Sequence, residues 1–317
     1  MSEDSDVAII TTKALRKMYG PHLALDDVNL NINAGSIGIL GPNGAGKSTF
    51  FKCLLGLIGT TSGEGSVLGY DIRTEADTIR SRIGYMPEYN SLDPALFAVD
   101  QVRYAGELLG MNSNTAMQRA HEVLEYVGLK DQRYRKIETF STGMLQATKL
   151  ACALVHDPDI LICDEPTNGL DPAQIFQMRS LVGDLSRNAT IIISTHILQE
   201  VEAICERVII MVQGQIAVDA LLSELQQSNR LMIGLGNPSE DAAEQLRKIP
   251  GVGLVSVVAG PRGESYGLEL EGSVSAVAPQ VARVAVEGGW GLYGMSEESR
   301  TLETVFREVG EKGRHAE

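Results

Sequence analysis

Apolar and polar residues alternate over about the first 35 positions, with Val28, Leu30 and Ile32 set against Asp27, Asn29, Asn31 and Asn33. A period of two puts one set on a buried face and the other in water, which predicts strands. The stretch SIGIL then runs straight into GPNGAGKSTF, which reads as a short buried strand, a glycine loop and a helix. From about 90 to 156 the spacing turns helical, with LFAVDQVRYAGELLG and AMQRAHEVLEYVGL as separate helices. Unbroken apolar runs return at 160–163, 191–194 and 208–212, with helical segments between them. Such strands alternating with helices predict a parallel sheet covered on both faces.

The pattern changes after Gln227. It reads strand 231–235, helix 240–249, strand 253–259, strand 266–271, helix 274–286 and strand 290–295, with a last short helix at 302–309. This β-α-β-β-α-β order predicts a separate small domain of the split βαβ kind. Its strands contain no histidine or cysteine, and it is read as two sheets without a metal site or other chemical motif.

Composition narrows the field. The 317 residues are 44% hydrophobic and 21% charged, enough to bury a core. The formal net charge of −14 argues against a nucleic-acid partner, because neutralising phosphates needs an excess of Lys and Arg. Cys53, Cys152, Cys163 and Cys205 lie in apolar stretches without metal-like spacing, which fits buried thiols in a reducing compartment. No apolar run approaches the roughly 18 residues of a membrane span, and the first ten residues do not resemble a signal peptide. A soluble, intracellular chain is expected.

Three stretches carry candidate chemistry. Residues 41–49 fit G-x-x-x-x-G-K-[ST] through Gly41, Gly46, Lys47 and Ser48. Here Gly41, Pro42, Asn43, Gly44, Ala45, Gly46, Lys47, Ser48 and Thr49 would wrap phosphates in backbone N–H groups. Lys47 would reach the terminal phosphates and the Ser48 hydroxyl a Mg²⁺ ion. The strand before and the helix after supply the context that this motif needs. In DILICDEPTNGLDP, Asp164 leaves the end of a strand and would hold Mg²⁺ through a water, while Glu165 would orient or deprotonate an attacking water. In FSTGMLQATKL, Ser141, Thr142 and Gly143 open a helix, which is either an anion site or an ordinary serine cap.

With GPNGAGKST, FSTGM, ILICDEPT and NGLDP in that order, the chain resembles an ATP-binding cassette (ABC) ATPase, more narrowly the subunit of a bacterial-type exporter whose permease is a separate chain. The resemblance covers about 7–225 in detail, and the tail with its TLETVFREV resembles the small C-terminal domain of the same subfamily. It implies an α/β fold of the P-loop NTPase type, with a mostly parallel sheet, an N-terminal antiparallel β subdomain and a helical subdomain at about 89–156. The cassette would span 1–225 and a small α+β domain 228–317, which would regulate the motor or support the dimer. ATP and Mg²⁺ are the implied cofactors.

The resemblance further implies that two copies pack head to tail, so that Ser141, Thr142, Gly143 and Met144 face the γ-phosphate held by the partner. Tyr19 would stack on adenine, His196 would contact the γ-phosphate and support Glu165, and Asp171 would link the two active sites. Glu88 stands where the family often has glutamine, and would meet Mg²⁺ with an added charge. Thr142 replaces a frequent glycine and Ala147 a frequent arginine. Met86, Tyr89, Leu92, Leu96 and Phe97 offer apolar material for a permease, so the chain is expected at the inner face of the cell membrane. Two rivals are a ribosome-acting cassette protein, which usually has two cassettes and a basic linker, and a non-hydrolysing module, which an intact Glu165 and His196 disfavour.

Overall fold

The structure is a computed structural model that describes residues 8–186, 189–226, 229–260, 263–298 and 301–307. In chain order the elements begin β1 (Ile10–Tyr19), β2 (His22–Ile32), β3 (Ser36–Leu40), α1 (Lys47–Leu54), β4 (Ser62–Val67), β5 (Tyr70–Asp71), α2 (Ala76–Arg82) and β6 (Ile83–Met86). There follow α3 (Ala98–Leu108), α4 (Ser113–Tyr126), α5 (Thr142–Leu154), β7 (Ile160–Asp164), α6 (Pro172–Leu185), β8 (Thr190–Thr195), α7 (Leu198–Ile204), β9 (Arg207–Val212), β10 (Gln215–Leu221) and α8 (Leu222–Gln226). Last come β11 (Arg230–Leu235), α9 (Ala242–Arg247), β12 (Val252–Gly260), β13 (Gly263–Leu270), α10 (Val274–Glu287) and β14 (Leu292–Glu297). The chain divides into two compact units, with the boundary between Leu222 and Ser223; Phe306 and Arg307 group with the first unit.

In the first unit, a six-stranded sheet has the order β10-β9-β3-β8-β7-β6, parallel throughout except for the edge strand β10. Every residue of β3, β7 and β8 is buried, which is why these strands read as unbroken apolar runs. A four-stranded sheet of order β2-β1-β4-β5 has antiparallel pairs only. There Val28, Leu30 and Ile32 are buried and their polar alternates are not, as the period of two predicts. Phe50, Phe51 and Leu54 of α1 join Ile37, Ile39, Ile162 and Ile192 of the parallel sheet to Val28 and Ile32 in one core. Helices α3, α4 and α5 lie in chain order between β6 and β7.

Helix α5 and strand β6 approach closely. A Cβ at Gly84 would sit 2.3 Å from the Ala153 carbonyl, so only glycine lets α5 lie directly on β6. The strand that leads to Glu88 is thereby braced by the helix that starts at the serine turn.

The second unit holds a four-stranded antiparallel sheet of order β12-β13-β11-β14, the split βαβ topology. The expectation of two sheets is corrected to one. Leu231, Ile233, Leu235, Leu268 and Leu270 alternate onto a single apolar face, which one layer of helix suffices to bury. Trp290, read as the first residue of a strand, lies before β14 as a buried core side chain. The final helix runs over 302–307, and the last two positions predicted for it lie outside the described residues, as do the first seven of the chain.

Candidate functional site

The phosphate loop links β3 to α1. Gly46 has φ 104°, and a Cβ there would approach the Ala24 carbonyl to 2.7 Å, so backbone freedom and lack of a side chain are both needed. Gly46 caps α1 without a side-chain hydrogen bond, which leaves the first-turn N–H groups available to an anion. Tyr19, Asn43, Gly44, Ala45, Gly46, Lys47, Ser48, Thr49, Glu88 and Glu165 line one cavity of about 350 Å³, together with His22 and Ala24. Gly41 and Pro42 do not line it, and their carbonyls accept from Lys47 Nζ at 2.7 and 3.4 Å.

Glu165 follows the last residue of β7 with φ 50°, a left-handed conformation that is uncommon outside glycine. This turn keeps the side chain only 6% exposed and sends its two oxygens to two partners. Oε1 lies 3.3 Å from Lys47 Nζ, and Oε2 accepts from His196 Nδ1 at 2.9 Å. Because the acceptor is a carboxylate, Nδ1 carries the proton, and a neutral ring then has only an acceptor at Nε2. The His196 side chain is 48% exposed, open toward whatever enters the site.

Asp164, the buried last residue of β7, accepts from Ser194 Oγ through Oδ1 and from Tyr85 OH through Oδ2 at 3.3 Å. Burial, then the nearby Asp164 charge, pushes the Tyr85 phenol well above its ordinary range, so it stays a donor. Ser194 and Tyr85 escaped the sequence reading because nothing in their spacing marks them; parallel pairing of β6, β7 and β8 brings them to Asp164. His22 escaped it too, although it stands only three residues after Tyr19, as the first residue of β2.

Ser48, Asp164 and Glu88 supply hard oxygen donors, the chemistry that Mg²⁺ selects. Among the described residues no group of three or more His, Cys, Asp or Glu side chains could hold a metal alone. Ser48 and Glu88 line the cavity and Asp164 does not; oxygen donors of this kind fit an ion whose other ligands are phosphate and water oxygens. Glu88 itself is exposed and accepts from Asn168 Nδ2 at 3.4 Å.

Ser141, Thr142, Gly143 and Met144 are absent from the lining of that cavity. Ser141 caps α5 by accepting from the Met144 N–H at 3.4 Å, beyond the usual range for such a bond. Thr142 packs toward Gly169, and Gly143 lies against the Gln174 side chain. Asp171 caps α6 in a reciprocal box with Gln174, with Pro172 first in the helix. Tyr19 ends β1 with 46% exposure and the Lys17 ammonium 5.0 Å above its ring. Of the apolar positions near Glu88, Met86 and Leu92 are buried core, Leu96 is half-buried, and Tyr89 and Phe97 are exposed.

The sequence profile of the family described as ABC transporter matches residues 25–168. The bacitracin transport ATP-binding protein BcrA of Bacillus licheniformis is 40% identical over 225 residues, 70% of this chain and 72% of the relative. The linearmycin resistance ATP-binding protein LnrL of Bacillus subtilis is 38% identical over 209 residues, 65% of this chain and 67% of the relative. A dimeric structure of the ATP-binding cassette MJ0796 in a post-hydrolysis state with ADP and Pi superposes with a TM-score of 0.62 at 27% identity, covering 67% of this chain and 98% of that one. Phosphate loop, carboxylate pair, fold and relatives converge: the chain belongs to the ABC transporter family, as an ATP-binding subunit that hydrolyses ATP.

Proposed function

We propose that this subunit drives an exporter whose permease is a separate chain, and that two copies, or this chain and a homologous cassette, share the ATP sites between them. The observation that carries the reading is the Glu165 carboxylate held between Lys47 and His196 at the wall of the phosphate-loop cavity, while the serine turn stands outside that cavity. In this reading the serine turn of another copy completes the site.

In this reading the triphosphate draws Lys47 away from Glu165 and the Gly41 and Pro42 carbonyls, and the first turn of α1 receives its phosphates. Glu165 then orients or deprotonates the attacking water, while the His196 N–H holds the carboxylate. His196 Nε2 donates to the γ-phosphate only when the ring is protonated or changes tautomer. Ser48, Asp164 and Glu88 would hold Mg²⁺, which when bound would supply charge neutralisation to the triphosphate. Ser141, Thr142, Gly143 and Met144 lend their helix start to the partner's nucleotide, and Asp171 lies on the loop between the two sites.

No helix among the described residues is long and apolar enough to cross a membrane. In this reading membrane passage falls to another chain, with Tyr89 and Phe97 as exposed apolar contacts and the motor peripheral at the inner face. The transport and resistance named for the relatives favour export. The small α+β unit regulates the motor or supports the dimer.

Two measurements test this. Tagged protein purified from its native membranes is expected to bring down a polytopic membrane chain; recovery with ribosomes and no membrane chain would overturn the reading. Tyr19→Ala is expected to weaken ATP binding about tenfold, the range for loss of one base-stacking contact. Unchanged ATP affinity would remove Tyr19 from the adenine site.

A further inference from the structure

Helix α5 begins at the serine turn and carries a lysine two turns later in its buried face. Lys149 is 4% exposed, yet among the described residues no carboxylate lies within ion-pair distance of it. Its Nζ donates instead to two successive backbone carbonyls, Pro87 at 2.8 Å and Glu88 at 3.0 Å. A buried ammonium is costly unless several acceptors and opposite charges surround it, so its retention needs a reason. Burial lowers its pKa to about 8, against the pull of the Glu88 and Asp164 charges.

A second fastener lies one turn away. Gln146, also on α5 and buried, donates through Nε2 to the Asn168 carbonyl at 3.1 Å, and Asn168 Nδ2 donates to Glu88 Oε1 at 3.4 Å. Residues at i and i+3 share a helix face, so one face of α5 grips both the backbone and the carboxylate side of Glu88. Gly84 already brings this helix onto β6, which ends two residues before Glu88.

We propose that Lys149 is a positioning residue for Glu88: from the serine-turn helix it clamps the Pro87 and Glu88 carbonyls and supplies a positive charge that offsets the Glu88 carboxylate beside Asp164. It rests on the reading of Glu88 as a group that faces Mg²⁺ and water. One rigid helix then ties the anion cradle offered to a partner's nucleotide to a ligand of the chain's own site. Engagement of the cradle in one place sets the carboxylate in the other. The same ammonium explains how a glutamate, with its added charge, is accommodated at this position.

The test uses the full chain and four variants, Lys149→Met, Lys149→Gln, Glu88→Gln and Lys149→Met with Glu88→Gln. In nucleotide-free protein, hydrogen exchange of the peptide over 87–92 is expected to quicken about tenfold in Lys149→Met, and less in Lys149→Gln, which keeps a donor. Turnover is expected to fall about tenfold in Lys149→Met, while the Mg²⁺ concentration for half-maximal binding of a fluorescent ATP analogue falls roughly threefold. Tighter metal with slower turnover is what loss of a cation beside two acids produces, and loss of packing does not produce it. Against the Glu88→Gln background the same lysine change is expected to cost less than threefold, because the charge to be offset has gone.

Unchanged exchange at 87–92, exchange raised across the whole molecule, or equal loss of turnover in both backgrounds would each overturn the proposal while leaving Glu88's role standing. Wild-type turnover and Mg²⁺ dependence in Glu88→Gln would instead remove the reading of Glu88, and this inference with it.

Discussion

Replacing Glu165 with glutamine is expected to slow ATP turnover about a hundredfold or more while leaving ATP bound at least as tightly as in the unaltered protein. The two halves have separate causes. Glutamine matches glutamate in size and enters the same φ 50° turn, but it cannot take a proton from water. At the same time, the Lys47–Glu165 ion pair at 3.3 Å holds the ammonium that the phosphates need, and both partners are almost buried. Removing the carboxylate frees Lys47 from that competition. With ATP present, gel filtration of Glu165→Gln is expected to give a dimer, since binding closes the pair and hydrolysis no longer reopens it. Lys47→Ala should behave oppositely, with loss of detectable ATP binding and no dimer. A Glu165→Gln protein that stays monomeric at saturating nucleotide would contradict the shared site.

Ser141→Asp separates the two meanings of the serine turn. As a helix cap, aspartate is about as good as serine, and its charge suits a helix start. If capping α5 were the whole role of Ser141, the change would be neutral or mildly stabilising, and the 3.4 Å bond to Met144 N–H leaves room for improvement. If the turn faces a partner's γ-phosphate, a carboxylate within about 4 Å of it adds on the order of 4 kcal/mol of repulsion at a surface-like dielectric. The expected result is therefore an unchanged melting temperature, a loss of turnover of about a hundredfold or more, and weakened ATP-dependent dimerisation. ATP binding to the isolated chain should be unaffected, because the phosphate loop belongs to the same copy. Wild-type turnover in Ser141→Asp would leave Ser141 as a cap and nothing else.

The same residues show what sequence could and could not supply. Asp171 reads equally well as a cap and as a link between active sites, and in the fold it is a cap with a reciprocal box to Gln174. Met86 and Leu92 read as possible contact residues, but β6 and the segment after it turn them inward, so only Tyr89 and Phe97 remain exposed. Four strands in the second unit read as two sheets, because a periodicity of two reports which face is apolar and not which strands pair. Their register, with Leu231 opposite Leu268 and Ile233 opposite Met295, belongs to contacts more than thirty residues apart.

The local chemistry was legible in the chain: the phosphate loop between a buried strand and a helix, the Asp164–Glu165 pair at a strand end, the serine-led helix start and the order of elements. Each of these is written in residues a few positions apart, where backbone sterics and hydrogen bonding act. Long-range packing brings Ser194 and Tyr85 to Asp164, Lys47 to Glu165, and Lys149 to the carbonyls of Pro87 and Glu88. Those partners stand some thirty to a hundred and twenty residues apart. Their meeting is fixed by strand order and helix packing, which depend on the summed burial of the whole core and leave no mark in any short stretch of chain.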